Sequence, residues 1–537
     1  MKHYLRYPLL LLLSITFAIT SRAQTLVDGI NYELNRELFT ASVTSMGEYA
    51  GDITIPSSVV IDDDTYTVTE IGDYAFSYCA ELTSIKLPET VTRIGEYAFS
   101  SCTALVTVDL SNTLKSIGYN AFFDCPALRS ITFPESLESI GATAFYICTS
   151  LTSIHIPSGV TEIGDGAFSG CTAITAITVS DENATFDSRE NCNAIIRKSD
   201  NALIMGCQSS FIPNGVKAIG NNAFMHCSGL TSIQIPEGVT SIGSTAFNSC
   251  TALTSIVLPE SVTRIGEDAF GWCTELTSIN LPEKITVIPD FAFAGCAKLP
   301  SISIPEGVTT IGGNAFSQCK SLTSLTIPES VTSIGWGAFC VCESLESVTL
   351  PQSLTTLENG VLAGCISLPS IALPKNLTSL SMSVFEGCTA LTSINIPDAV
   401  TTMGHACFMG CTALTTVTLG SSLNQIDDSA FNQCTSLTTV VCKAVNPPLC
   451  GSDVFTEVPT AEATLYVPAG SQDYYNDNKP WHYFGKIKSL DELPTGIEAV
   501  WAHDAGKASP AYNLGGQRIA QPKKGIFIQN SKVRIAR

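Results

Sequence analysis

The feature that most constrains this fold is a 23-residue repeat that closes on a cysteine. The stretch from Cys79 to Cys102 reads CAELTSIKLPETVTRIGEYAFSSC, and related phrases follow it at 23-residue steps, with one gap of 56 residues. A unit this short cannot bury its own apolar face, so successive units must stack and share one core. The fifteen repeated cysteines are Cys79, Cys102, Cys125, Cys148, Cys171, Cys227, Cys250, Cys273, Cys296, Cys319, Cys342, Cys365, Cys388, Cys411 and Cys434.

The apolar pattern inside each unit predicts its local structure. The phrase L-x-x-I-x-L alternates apolar and polar residues, as at Leu82, Ile85 and Leu87, which is typical of a strand. Pro88-Glu89 then turns the chain, V-T-x-I forms a second short strand, and A-F-x-x-C forms a compact helical or 3-10 turn. The pattern predicts a mainly β repeat solenoid, a right-handed parallel coil with short helical or 3-10 turns and β caps at both ends.

The fifteen repeated cysteines, which we call the cysteine column, could bind metal, form disulfides, act in catalysis or fill the core. In-register neighbours point the same way, so each sulfur has two equivalent neighbours and no single disulfide partner. No histidine or second cysteine recurs in the repeat to complete a zinc site. A Phe three residues before the cysteine and a Leu three residues after it are both expected to be buried. We therefore interpret the column as small buried residues whose weak S–H donors satisfy turn backbone.

Two further cysteines lie in an insert of about residues 183–208 between two blocks of repeats. The segment CNAIIRKSDNALIMGC contains the turn signal Ser199-Asp200, and a two-residue loop there would pair Cys192 with Cys207. A cross-strand disulfide and two buried thiols both fit this hairpin.

Charge and the N-terminal segment limit the class of protein. The net charge is −21 and the pI about 4.6, which argues against nucleic acid as a partner. Residues 1–23 combine Lys2 and Arg6 with an apolar run and the small-residue site Ser21-Arg22-Ala23, as a secretory signal peptide does. No later stretch is apolar for the length of a membrane span, so no span is expected in the mature chain.

No catalytic signature is present in the sequence. The six histidines are scattered without an HExxH pair, and neither a phosphate-binding glycine loop nor a GxSxG motif occurs. The run from Asp62 to Asp64 lacks the glycine-bearing loop of a calcium site, so it predicts a hairpin turn. The sequence therefore predicts a protein that is not an enzyme and has neither a cofactor nor a metal site.

Surface columns remain as candidate binding sites. The exposed position of the first strand, from Lys86 to Thr418, is mostly small and polar and contains no aromatic residue. Glutamates that follow the turn proline, such as Glu260 and Glu283, should form a ladder that is either solvated or weakly cation-binding. Aromatic residues at variable turn positions are either exposed and able to bind a partner or partly buried under neighbouring coils, and together with an arginine of the insert they are the candidate binding residues. They are Tyr74, Tyr78, Tyr97, Tyr119, Phe123, Tyr146 and Arg189.

The repeated phrases LTSIKLPETVTRIGEYAF and LTSINIPDAVTTMGHACF resemble the BspA-like leucine-rich repeat family. This resemblance implies a β cap at residues 24–56, a solenoid at 57–441 and a C-terminal cap at 442–493. Residues 494–537 include YNLGGQR and KKGIFI, and the tail from 507 has seven Lys or Arg and no acid. This end is similar to the sorting signal of type IX secretion, which implies delivery to the outside or outer surface of a Gram-negative bacterium.

The family resemblance also implies a function. Family members act in adhesion to host matrix proteins or to other cells, so we expect an exported protein that binds protein or other surface macromolecules. A glycan-binding accessory protein of the cell surface is the alternative. That alternative requires exposed aromatic platforms, and none is expected in the strand column.

Overall fold

The computed structural model describes residues 24–45 and 47–494, and beyond them the backbone of the strands Ala511–Tyr512, Arg518–Ile519, Gly525–Gln529 and Lys532–Ala536. The predicted signal peptide lies outside the described residues, as does most of the predicted sorting segment. The chain divides into two compact units, Met1–Phe186 and Asp187–Arg537, and the division falls within the short strand Phe186–Asp187.

The first unit begins with an antiparallel meander and a hairpin. The hairpin turns at Asp62 and Asp63, whose φ angles are 52° and 69°, so the predicted turn at the aspartate run is confirmed. The meander pairs in parallel with the second strand of the hairpin, which in turn pairs with the first repeat. These strands are Gln24–Val27, Ile30–Asn35, Thr40–Thr44, Ala50–Thr54, Ser58–Ile61 and Asp64–Ile71.

Each coil contributes to a column of parallel strands that we call the sheet column, formed by the phrase L-x-x-I-x-L. Its register advances by one repeat per coil, as from Ser84 to Thr107. In the first unit its strands are Glu81–Lys86, Thr107–Asp109, Ser153–Ile156 and Ala176–Val179. In the second unit they are Ser255–Ile256, Ser278–Ile279, Ser324–Thr326, Ser347–Thr349, Ser393–Asn395, Thr416–Leu419, Thr439–Cys442, Thr464–Val467 and Lys486–Ser489. Residues 128–133, 299–304 and 368–373 form no strand, so this column is interrupted.

A second column consists of the shorter strands predicted for V-T-x-I. In the first unit these are Arg93–Ile94, Ser116–Ile117, Ser139–Ile140 and Glu162–Ile163. In the second unit they are Ala218–Ile219, Ser241–Ile242, Arg264–Ile265, Val287–Ile288, Thr310–Ile311, Ser333–Ile334, Thr356–Leu357, Ser379–Leu380, Thr402–Met403, Gln425–Ile426 and Leu449–Cys450. The insert adds a hairpin of Ala194–Arg197 and Ala202–Gly206 and the 3-10 helix Arg189–Asn191. The C-terminal cap contains the α-helix Gln472–Asn476 and the 3-10 helices Trp481–Tyr483 and Leu490–Glu492.

The A-F-x-x-C phrases form turns in which two kinds of backbone hydrogen bond alternate. In the first coil the amides of Ala75, Ser77 and Cys79 donate to carbonyls three residues back, as in a 3-10 turn. The amide of Phe76, between them, donates to the Ala98 carbonyl of the next coil at 2.7 Å. Because alternate amides bond to the next coil, the predicted turn does not become a continuous 3-10 helix.

Close contact between coils explains the glycine that follows the short strand. A Cβ on Gly118 would lie 2.7 Å from the carbonyl carbon of Gly95, and one on Gly141 would lie 2.5 Å from that of Gly118. These distances leave no space for a side chain, so glycine allows the backbones to approach.

Phenylalanine rings stack along the core of each unit. Successive rings of Phe76, Phe99, Phe122 and Phe145 lie 4.9–5.1 Å apart with interplanar angles of at most 8°. An aromatic residue also covers the first ring of this stack: Tyr49 of the N-terminal segment lies 4.6 Å from Phe76. The predicted N-terminal cap thereby protects the first coil from solvent.

The C-terminal segment closes the stack of the second unit. Phe455 lies 5.7 Å from Phe431, so one more coil extends into the segment predicted as the cap. Trp481 and Phe484 then meet the Phe455 ring edge-on at 5.4 Å and 5.2 Å. The Trp481 indole N–H donates to the Pro448 carbonyl at 3.0 Å, which satisfies its polar group in the buried position.

Candidate functional site

The repeated cysteines are structural in their contacts. The Cys102 thiol donates to the Phe76 carbonyl of the preceding coil at 3.0 Å, and the Cys296 thiol donates to the Phe270 carbonyl at 3.2 Å. Burial raises the pKa of Cys102 to about 12, which keeps the thiol protonated. These contacts match the interpretation from the sequence, in which each cysteine is buried and its thiol donates to a carbonyl of a turn.

The aromatic residues predicted near the N-terminal end form a stacked surface, which we call the tyrosine ladder and define as Tyr74, Tyr97 and Tyr119. The rings of Tyr74 and Tyr97 are stacked at 4.9 Å with an interplanar angle of 6°. Tyr119 meets Tyr97 edge-on at 5.4 Å. Tyr74 is 52% exposed, and Tyr78 on the same turn is also exposed. These side chains therefore present aromatic faces and hydroxyls to solvent.

Phe123 and Tyr146 form a separate pair. Their rings stack at 5.4 Å, and both side chains are partly buried. They occupy the position after the core phenylalanine, whereas the tyrosine ladder occupies the two positions before the alanine. The structure thus places five of the six aromatic candidates of the first unit in two groups, and Tyr78 belongs to neither group.

A buried amide lies next to the tyrosine ladder. Asn120 is only 6% exposed, and its side chain contacts Tyr97. Its Oδ1 atom has no hydrogen-bond partner among the described residues. A buried acceptor without a partner is uncommon in native structures. Sequence reasoning did not identify Asn120, because an Asn at a variable turn position carries no signal of its own.

Arg189 is held by contacts within the insert. Its guanidinium donates to Asp187 from two nitrogens, each at 2.8 Å, and to the Asn201 side chain at 2.9 Å. Its side chain is largely buried by these neighbours. Arg189 therefore stabilises the insert, and much of its hydrogen-bonding capacity is already used.

The insert forms the predicted hairpin with a changed register. Arg197 pairs with Ala202 as expected, but an irregularity between Ile195 and Ile196 shifts the pairing by one residue. Ala194 consequently lies opposite Gly206. The expected pairing of Cys192 with Cys207 is therefore wrong, because a bulge alters which residues face each other. Both cysteines are buried free thiols.

The glutamates after the turn proline contact the next coil. The backbone amide of Glu283 donates to the Glu260 carboxylate at 3.3 Å, and the amide of Gln352 donates to Glu329 at 2.8 Å. No group of three His, Cys, Asp or Glu side chains among the described residues could hold a metal ion. These carboxylates therefore support turn backbone.

An open groove of about 800 Å³ lies on the outer face of the sheet column at the start of the second unit. Its lining includes Phe211, Gln234 and Val257, which occupy the same position on three successive coils. Phe211 is 45% exposed, so the expectation that this column contains no aromatic residue is wrong. The repeat QSSFIPNGV, next to the insert, lacks the cysteine and most of the consensus residues. Phe211 is therefore difficult to assign to the strand column from the sequence.

A second aromatic cluster was also missed. Trp272, Phe291 and Trp336 are exposed on turns of the second unit, and Phe291 meets Trp336 edge-on at 5.9 Å. Gly313, on the coil between them, allows this contact, since a Cβ there would lie 2.7 Å from the Trp336 indole nitrogen. These residues occupy the same variable positions as the N-terminal aromatics, so the same search would have found them.

Stacked parallel coils, each with short strands and a hydrogen-bonded turn around a shared apolar core, define a leucine-rich-repeat solenoid. The model of the BspA type leucine rich repeat region matches residues 69–195, 205–323 and 309–438, in 6 copies. The chain belongs to the BspA-type leucine-rich repeat family, whose members are cell-surface proteins. Within the described part of the chain, no helix has the length and apolar character needed to cross a membrane.

Several solved structures are similar to this chain. A leucine-rich repeat protein from Eubacterium ventriosum is 25% identical, with 67% of this chain and 92% of that chain covered and a TM-score of 0.51. One from Bacteroides ovatus is 28% identical, covering 78% and 94%, with a TM-score of 0.44. A leucine rich cell surface protein from Faecalibacterium prausnitzii is 28% identical, covering 79% and 95%, with a TM-score of 0.42. A search of curated proteins finds no significant match.

Proposed function

We propose that this protein is an exported, non-catalytic surface protein that binds protein or other surface macromolecules of a host or of bacteria. The observation that carries this proposal is the tyrosine ladder. Tyr74 and Tyr119 are exposed, and each ring packs against the partly exposed ring of Tyr97, so little side-chain entropy is lost when a partner covers them. Tyrosine is enriched among the residues that dominate binding energy at protein interfaces.

The Asn120 side chain contacts Tyr97 and supports this surface from the buried side. The ladder offers aromatic rings together with their hydroxyls, so it is suited to partners that combine an apolar or aromatic group with hydrogen-bonding groups.

The test uses the full chain with Tyr74→Ala and Tyr97→Ala combined. Binding to a panel of purified matrix proteins and to intact bacterial cells would be measured by surface plasmon resonance and cell-adhesion assays. Loss of a true anchor costs at least about 2 kcal/mol, roughly a 30-fold weaker Kd. Tyr474→Ala is a matched control, because Tyr474 is 58% exposed but lies in the C-terminal cap. Equal binding by the double variant and the control would refute the role of the ladder.

Glycan binding is the second candidate, and the exposed Trp272 and Trp336 rings favour it. A flat aromatic face beside polar turn groups can stack on the apolar face of a sugar ring. Trp336→Ala should then abolish binding on an oligosaccharide array while leaving binding to matrix proteins unchanged. Unchanged array binding would remove this candidate.

A further inference from the structure

The groove on the second unit has an apolar floor and polar edges. Phe211 and Val257 flank Gln234 on successive coils, and Val257 is 71% exposed. The hydroxyl-bearing residues Ser232 and Ser255 lie beside them in the lining. An exposed pair of apolar side chains on an otherwise polar column marks a place where contact with another molecule removes apolar surface from water.

Two carboxylates also line this groove. Glu190 comes from the 3-10 turn of the insert, and Glu237 follows the turn proline of a coil. Among the described residues neither forms a salt bridge: the Arg189 guanidinium is directed to Asp187 and Asn201, and it attracts Glu190 without direct contact. The groove therefore combines apolar contact with two negative charges that are available to a cationic partner.

We propose that this groove binds an extended peptide segment in which apolar side chains are flanked by Lys or Arg. The apolar side chains would cover Phe211 and Val257, the basic side chains would pair with Glu190 and Glu237, and Gln234 and the serines would bond to peptide backbone. Phosphate-bearing ligands are disfavoured because both carboxylates would repel them. This site is separate from the tyrosine ladder and stands whether or not the ladder binds a partner.

The probe is a fluorescein-labelled eight-residue peptide with two central isoleucines flanked on each side by lysine. Its binding to the full-length protein would be followed by fluorescence anisotropy. Saturable binding is expected, and it should weaken as salt rises from low to physiological concentration, where the Debye length is about 8 Å. A peptide with glutamate in place of lysine, and one with serine in place of isoleucine, are the ligand controls.

Three variants locate the site. Glu190→Gln combined with Glu237→Gln should weaken binding of the lysine peptide about fivefold, since each exposed ion pair contributes little free energy. Val257→Ser should weaken it by a similar factor without affecting the fold, because this side chain is mostly exposed. Glu306→Gln is the matched control: Glu306 has the same repeat position as Glu237 but does not line the groove. The Tyr74→Ala and Tyr97→Ala variant should bind normally.

The proposal is refuted if the lysine peptide does not bind, or if the glutamate peptide binds equally well. It is also refuted if Glu306→Gln weakens binding as much as the groove variants do, because the interaction would then depend on net charge alone. Binding of a neutral oligosaccharide that is lost in Phe211→Ser but unaffected by the glutamate changes would assign the groove to glycans instead. Thermal melting of each variant separates loss of binding from loss of fold.

Discussion

Replacing Phe270 with alanine tests how the repeats stabilise one another. Phe270 is fully buried and stacks on Phe247 at 5.4 Å and on Phe293 at 5.7 Å, with interplanar angles of 3° and 1°. Its carbonyl also accepts the thiol of Cys296. The side chain therefore takes part in the contacts of its coil with both neighbouring coils.

The size of the effect follows from these contacts. Phe→Ala at a buried position costs about 3–5 kcal/mol, from lost transfer free energy and the cavity that remains. Aromatic pairs contribute about 0.5–1.5 kcal/mol beyond area burial, and this change removes two of them. We therefore expect a local destabilisation of about 4 kcal/mol or more, confined to the coils that contact Phe270.

Hydrogen exchange followed by mass spectrometry measures this effect. The amide of Phe247 donates to the Ala269 carbonyl, and the amide of Phe270 donates to the Ala292 carbonyl. A 4 kcal/mol loss should lower the protection of these amides by roughly a thousandfold, since each 1.4 kcal/mol is a factor of ten. Trp272→Ala is the control, because this aromatic residue lies on the same turn but is exposed.

Two results would contradict this reasoning. Unchanged protection around residue 270 would mean that ring stacking does not stabilise the coils. An equal loss of protection at distant coils, such as those around Phe408, would mean that the second unit unfolds as one cooperative body rather than by nearest-neighbour contacts.

Two further predictions concern the core. The raised pKa of buried thiols such as Cys102 and Cys319, about 12 instead of 9.0, means that ionisation favours the unfolded chain. The contribution of these protonated thiols to the free energy of unfolding is complete below about pH 9 and is lost as the pH rises toward 12. Denaturant titrations should therefore show declining stability over this range. A flat profile would contradict buried, protonated thiols. Leu362 interrupts the phenylalanine stack, and Val361 replaces the alanine before it. The double variant Val361→Ala with Leu362→Phe should restore the stack and raise the free energy of unfolding by about 1 kcal/mol. Thermal melting of the double variant against Leu362→Phe alone measures this gain.

The repeat itself made much of the fold predictable. A fixed 23-residue period places equivalent residues at equivalent positions in every coil, so burial of one cysteine implies burial of its neighbours. The contacts of Cys102 and Cys296 agree with this. The pattern left open whether the aromatic residues at variable positions are exposed or partly buried, and the structure exposes Tyr74 but partly buries Phe123 and Tyr146.

Other features depended on contacts that the period does not specify. The bulge between Ile195 and Ile196 separates Cys192 from Cys207, and a turn signal alone cannot reveal a bulge. The sheet column is interrupted at three places, and two of them contain a proline, Pro300 or Pro369, that lacks the backbone N–H which Thr donates at this position in other coils. The interruption at residues 128–133 has no such signal in the sequence. The burial of Asn120 and its contact with Tyr97 also depend on how neighbouring coils meet.

The amino-acid sequence alone therefore determined the solenoid, its buried cysteine and phenylalanine columns and the location of the tyrosines, because a strict repeat converts local pattern into global position. Tertiary structure decided which exposed groups meet. Phe211 and Val257 are 46 residues apart in the sequence, and Glu190 lies outside the repeat register altogether. Only the stacking of coils beside the insert brings these three residues into one groove, since that contact depends on the coil spacing and the path of the insert.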